Sequence, residues 1–192
     1  MKIKPFLFAA IVCGTACLSA EEPKNLLGNP SFTEKRDDGT PAVWNSGVRG
    51  GAQGKSKAGF SLSPSGQDDR SAGRIAVAEQ PRTGAMAEFS QCVPLKSGAT
   101  CYVAVYMKIL KPGAWANACV EILGEGRKYL TPGVGYPLKA AEKEPAAEYV
   151  LYECTFKVAP EHKFANLSLR LQDLGHGEVL FDNAVFFELP EK

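Results

Sequence analysis

The sequence has little of what announces most activities. Beyond its first 20 residues no apolar run approaches the length of a membrane-spanning helix. It has only 2 histidines, His162 and His176, both in turn-like segments, and it contains neither HExxH nor GxSxG. The usual zinc-hydrolase and serine-hydrolase layouts are therefore missing. Neither sign of charge is concentrated: 22 Lys and Arg stand against 21 Asp and Glu, giving a net charge of +1. With no basic run and no interleaving of basic and aromatic residues, nucleic acid is not an expected partner. No CxxC pair occurs among the 6 cysteines, which argues against structural zinc. A convincing amphipathic helix is also lacking. "KAAEKEPAAE" has helix-forming residues, but Pro145 limits it to about one turn.

At the N-terminus, Lys2 and Lys4 precede an apolar stretch from Pro5 to Val12. Small residues follow, from Gly14 to Ala20. This pattern predicts a secretory signal peptide over residues 1–20, and a single exported domain, secreted or periplasmic, over 21–192. Cys17 offers an alternative, a lipid anchor at the cell envelope. Cleavage after Ala20 leaves Cys92, Cys101, Cys119 and Cys154. An even number in an exported chain suggests two disulfides with three connectivities, of which Cys92–Cys101 closes the shortest loop. Four buried thiols are the other reading.

The dominant period along the chain is two. "CYVAVYMKI" puts Val103, Val105, Met107 and Ile109 on one face and Tyr102, Ala104, Tyr106 and Lys108 on the other. "ACVEIL", "YVLYECTFKV", "NLSLRLQDL" and "EVLFDNAVFFEL" repeat the pattern, with Leu167, Leu169 and Leu171 predicted inward and Ser168, Arg170 and Gln172 outward. Shorter strands are predicted around Phe60–Leu62 and Arg74–Val77. Turn signals such as "LKSGAT", "LKPGAW" and "DLGHGE" separate the strands, which together predict an all-β, antiparallel β-sandwich.

Several segments resemble carbohydrate-binding modules of the family 4/9 type, which are galactose-binding-like jelly rolls. The opening "NLLGNPSF" followed by Trp44 is similar to their first strand and turn. "AEFSQCVPLKSGATCYVAVYMKI" is similar to their central stretch through Phe89, Gln91, Val93, Gly98 and Tyr102. "YVLYECTFKVAP" and "LSLRLQDLGHGEVLFDNAVFFEL" are similar to their closing strands. The resemblance runs in order along nearly the whole mature chain and implies non-catalytic binding of a glycan or polysaccharide. A structural or protein-interaction role in the cell envelope on the same fold is the alternative. The resemblance also implies a structural calcium ion, with Asp182 as the last-strand carboxylate. Where the family has an acid directly after the first-motif Phe, this chain has Thr33, with Glu34 one position late. Its usual second acid at the end is Asn183.

Sugars present weakly apolar CH faces ringed by hydroxyls. Aromatic rings stack on the former, and amide and guanidinium groups bond the latter. Candidate binding residues are therefore Trp115, Tyr102, Tyr106, Tyr129, Tyr136, Arg170 and Gln172. Trp115 leads because its indole lies in a Gly/Pro/Ala loop. The resemblance implies that Trp44 is a structural residue of the core. No catalytic residue is assigned, although Glu121 and Glu153 are carboxylates on outward strand positions.

Overall fold

The computed structural model describes residues 23–50, 57–68, 70–78, 80, 84–130, 135–138 and 144–190. The expected signal peptide, with Cys17 and Ala20, lies outside the described residues.

Ten strands form the fold: β1 (Asn45–Arg49), β2 (Gly59–Ser63), β3 (Ala72–Val77), β4 (Met86–Pro94), β5 (Thr100–Lys111), β6 (Trp115–Leu123), β7 (Gly135–Pro137), β8 (Val150–Lys157), β9 (Phe164–Gln172) and β10 (Gly177–Leu189). They make two five-stranded antiparallel sheets, ordered β1-β4-β9-β6-β7 and β2-β3-β10-β5-β8. This is the expected jelly-roll β-sandwich. Consecutive strands repeatedly cross between sheets, so most pairings join residues far apart in sequence.

The alternation resolves as the period-two pattern predicts. Val103, Val105, Met107 and Ile109 are buried against the facing sheet, as are Val120, Ile122, Leu167, Leu169 and Leu171. Pleating sends every second side chain to the opposite face, so one buried stripe per strand suffices to build the core between the sheets.

One end of that core is closed by the N-terminal stretch. Phe32 and Trp44 are both fully buried, and their rings stack with centroids 4.8 Å apart. Asn29 organises the turn that places them. Its side-chain amide donates to the carbonyls of Glu34 and Ala42, at 2.8 and 3.0 Å, and its Oδ1 accepts the Glu34 N–H at 3.1 Å. Its own carbonyl accepts the Trp44 indole N–H at 3.0 Å. Asn29 has φ +45°, a left-handed conformation that asparagine tolerates better than most residues. Phe32 fits only because residue 73 is glycine: a Cβ there would meet the Phe32 ring at 2.5 Å.

The four cysteines are free thiols, and the geometry corrects the expected Cys92–Cys101 pairing. Cys92 lies on the outer face of the first sheet, on β4. Cys101 points into the core from β5 in the second sheet. The intervening turn carries the chain from one sheet to the other, so proximity in sequence does not bring the two sulfurs together. Cys101 instead shares the inner face of its sheet with Cys154, which stands one step diagonally across β8. Cys119 lies beside Arg170 on the outer face of the first sheet.

Candidate functional site

The outer face of the first sheet carries an unusual density of polar side chains. The strand register arranges them in rows running across β1, β4, β9 and β6. The first row is Arg49, Met86, Gln172 and Trp115. The second is Gly47, Glu88, Arg170 and Asn117. Asn45, Ser90, Ser168 and Cys119 form the third, and Cys92, Asn166 and Glu121 the fourth.

A charged network ties these rows together. Arg49 Nη2 donates to Glu88 at 2.7 Å and to Glu121 at 3.1 Å, and Arg49 Nη1 donates to the Tyr129 hydroxyl at 3.0 Å. Arg170 Nη2 reaches Glu121 at 3.2 Å and also contacts the Cys119 thiol. Ser168 donates a short hydrogen bond to Glu88, and Asn166 donates to Glu121 at 2.9 Å. Side-chain exposure falls from 37% at Arg49 to 18% at Glu121, 10% at Glu88 and 8% at Arg170. Arg49 therefore lies on top of the cluster, and the others form its floor.

The network also reveals the curvature of the sheet. β1 and β6 are separated by β4 and β9, about 14 Å in a flat sheet. Arg49 nevertheless reaches Glu121, three rows away along the strands as well. Twist and curl together bring these two corners toward each other on the outer side, so this face is concave along the Arg49–Glu121 diagonal. A shallow cavity of about 180 Å³ lies along its β1 edge, lined by Asn45, Gly47, Arg49, Glu88 and Ser90 among others.

Burial alone would raise the Glu121 carboxyl. The Asn166 hydrogen bond and the charges of Arg170 and Arg49 more than offset it, and Glu121 is held below its ordinary value. Burial likewise works against the charge on Arg49, but Tyr129 and the two carboxylates raise its pKa overall. Burial pushes the Cys119 thiol up to about 11 despite the adjacent Arg170. The cluster is therefore two cations and two anions, with an un-ionised thiol beside them.

Of the residues singled out from sequence, four share this concave face or its rim. Trp115 is 39% exposed at the start of β6, and Gln172 is beside it, accepting from the Asn117 amide at 2.9 Å. Arg170 lies in the floor rather than in solvent. Tyr129 stands at the far end, 53% exposed, in the segment after a 3₁₀ turn (Glu125–Arg127). The other three are elsewhere. Tyr102 and Tyr106 belong to β5 and face outward from the second sheet, where the Tyr102 hydroxyl donates to Glu153 at 2.5 Å. Tyr136 is turned toward the core and stacks on Phe156 with centroids 4.5 Å apart. Sequence reasoning left out Arg49, Glu88 and Asn117. Asn117 was legible as an outward polar residue on the Trp115 strand. Arg49 and Glu88 give no local signal, because their partners are distant in the chain.

Asp182, the expected metal carboxylate, is fully buried on the second sheet. Its two oxygens accept the backbone N–H groups of Gln67 and Asn183, each at 2.7 Å. Burial raises its pKa to about 6. The Asn183 amide is occupied by Gln67 and Ser31. Glu34 is exposed, with its backbone tied to Asn29. No group of three or more His, Cys, Asp or Glu that could hold a metal occurs among the described residues. A calcium site wants several hard oxygens. Asp182 already holds two N–H groups, and the nearby side-chain oxygens of Gln67, Asn183 and Ser31 are engaged with one another, which is a poor fit to that ion.

No family model and no curated protein matches the chain. Solved structures do. The xylan-binding CBM22-1 domain of Paenibacillus barcinonensis Xyn10C superposes with a TM-score of 0.59 at 14% identity, over 91% of this chain and 100% of that one. A CBM4 structure gives 0.53 at 17% identity, over 84% and 99%. The fold is that of carbohydrate-binding modules. The enzymatically active domain of bacteriophage CBA120 tailspike protein 4 gives 0.64 at 15% identity over 86% of this chain, which spans only 21% of that larger one.

Proposed function

We propose that this protein binds carbohydrate without catalysing its cleavage, using the concave outer face of the first sheet. The observation that carries this reading is the exposed Trp115 indole beside the Asn117–Gln172 amide pair, on a concave sheet of a carbohydrate-binding-module fold. The indole offers a flat apolar surface for the CH face of a pyranose ring. The adjacent amides offer donors and acceptors for its hydroxyls. Likeness to a xylan-binding domain and to a module solved with β-1,4-galactotriose supports a glycan as the ligand class.

The hydrogen bonding of the charged cluster supports a non-catalytic role. Glu88 and Glu121 both bond the same Arg49 nitrogen, so the carboxylates lie within about 6 Å of each other. That separation suits a retaining glycosidase, but such an enzyme needs one carboxyl protonated near neutral pH. Glu121 is shifted the opposite way, and Glu88, the other carboxyl of the pair, already accepts from both Arg49 and Ser168. Glu153, on the opposite side of the sandwich, is held by Tyr102. We read export, by the N-terminal segment, as the route that brings the protein to extracellular or envelope glycans.

Affinity electrophoresis on a panel of polysaccharides tests the reading, with Trp115→Ala as the comparison. Retardation of the native protein by at least one glycan is expected, reduced about tenfold or more in apparent affinity by Trp115→Ala. Tyr102→Phe and Tyr106→Phe, on the opposite face, should leave it unchanged. No retardation on any glycan would sink the proposal in favour of a protein-interaction module.

A further inference from the structure

Taking the concave face as a sugar site, its most distinctive feature is the path of Arg49. The residue starts in the first row on β1, and its guanidinium ends at Glu121 in the fourth row on β6, passing over Glu88 on the way. Tyr129 closes the line beyond it, bonding both Arg49 and Glu121. The face is thus crossed corner to corner. One corner holds Asn45, Gly47 and Ser90 and contains no aromatic ring. The other holds Trp115, Gln172 and Asn117.

The Trp115 corner also contains unsatisfied polar groups. Asn117 Oδ1 and Arg170 Nε, both in the second row, are buried and have no hydrogen-bond partner, and the same holds for Arg49 Nε in the bridge itself. Arg170 is 7% exposed. Buried polar atoms without partners are costly and rare in native folds, and a small shift of the Asn117 and Arg170 side chains would present them to a ligand hydroxyl. An acceptor and a donor beside an exposed indole match the needs of a sugar ring. The two rows are about 7 Å apart, room for one or two rings before the Arg49 bridge is met.

We infer that Arg49 walls off the groove, so that the Trp115 corner accepts the end of a saccharide chain, over one or two residues, and excludes chain interiors. Arg49 is held by three partners from β4, β6 and the segment after it. A polysaccharide threading the groove would have to break those bonds and leave Glu88 and Glu121 to face each other. A terminal residue needs none of that. The inference rests on the carbohydrate-binding reading, and the test separates the two.

Isothermal titration of the full-length protein with β-1,4-linked galacto-, xylo- and gluco-oligosaccharides, from disaccharide to hexasaccharide, provides the measurement. For whichever series binds, affinity should rise to the di- or trisaccharide and then stay within about twofold. Arg49→Ala should remove the plateau, with the hexasaccharide gaining about fivefold or more over the trisaccharide. An affinity in the native protein that keeps climbing to the hexasaccharide overturns the wall and leaves sugar binding intact. A folded Arg49→Ala protein with an unchanged plateau also overturns it. If Arg49→Ala does not fold, the native length series decides alone. Absence of binding in every series, together with no retardation on polysaccharides, defeats the carbohydrate reading itself.

Discussion

At the scale of single residues, two backbone positions govern the N-terminal closure. Asn29 supplies three side-chain hydrogen bonds from a left-handed conformation. Asn29→Ala should cost roughly 2–4 kcal/mol, read as a lowered midpoint in urea. Asn29→Asp should fare no better, although it is nearly isosteric. It replaces a donor facing two carbonyls with an oxygen that repels them. Val43 shows the opposite case. It is exposed and adopts φ +71°, where a β-branched residue is strained. Val43→Asn should therefore stabilise the protein by about 1 kcal/mol, visible as a higher melting temperature. The sequence showed that "NPSF" is a turn. It gave no sign of the strain at Val43, because φ is set by where the chain must go next.

At the scale of elements, β6 and β9 carry the site, and Glu121 links it to pH. Its carboxyl is lowered in the folded state, so its contribution to stability is fully present above the ordinary carboxylate value. That contribution is lost as pH falls through the lower, folded value. Melting temperatures should accordingly drop below about pH 4.5. Glu121→Gln should flatten that part of the profile while costing some stability at neutral pH. The outward positions Ser168, Arg170 and Gln172 were legible from alternation alone. Their burial was not: Ser168 is fully buried and Arg170 nearly so. A period of two assigns a face, and only the neighbouring strands and the curl of the sheet decide whether that face meets water. Gly73 on β3 is a packing counterpart. Gly73→Ala would drive a methyl into the Phe32 ring and should cost roughly 1–3 kcal/mol in urea unfolding.

At the scale of the whole molecule, the sandwich is held by one continuous core that the N-terminal aromatics complete. Asp182 lies away from the concave face, and its two oxygens already accept backbone N–H groups. Treatment with EDTA should leave both the melting temperature and any glycan affinity unchanged. A lower melting temperature that calcium restores would show that Asp182 anchors an ion with ligands beyond its present donors.

The sequence by itself determined that this chain is an antiparallel β-sandwich and which face of its long strands meets the core. Those properties are local: alternation, turn residues and aromatic placement act within a few residues of where they are read. Only the tertiary structure decided that Tyr102 and Tyr106 lie opposite Arg170 and Gln172, and that Cys92 and Cys101 occupy different sheets. It likewise decided that Arg49 crosses the face to Glu121. Each depends on which strands pair and how the sheet curls. Strand pairing between distant segments is fixed by the burial of the complete core, to which no short stretch of sequence has access.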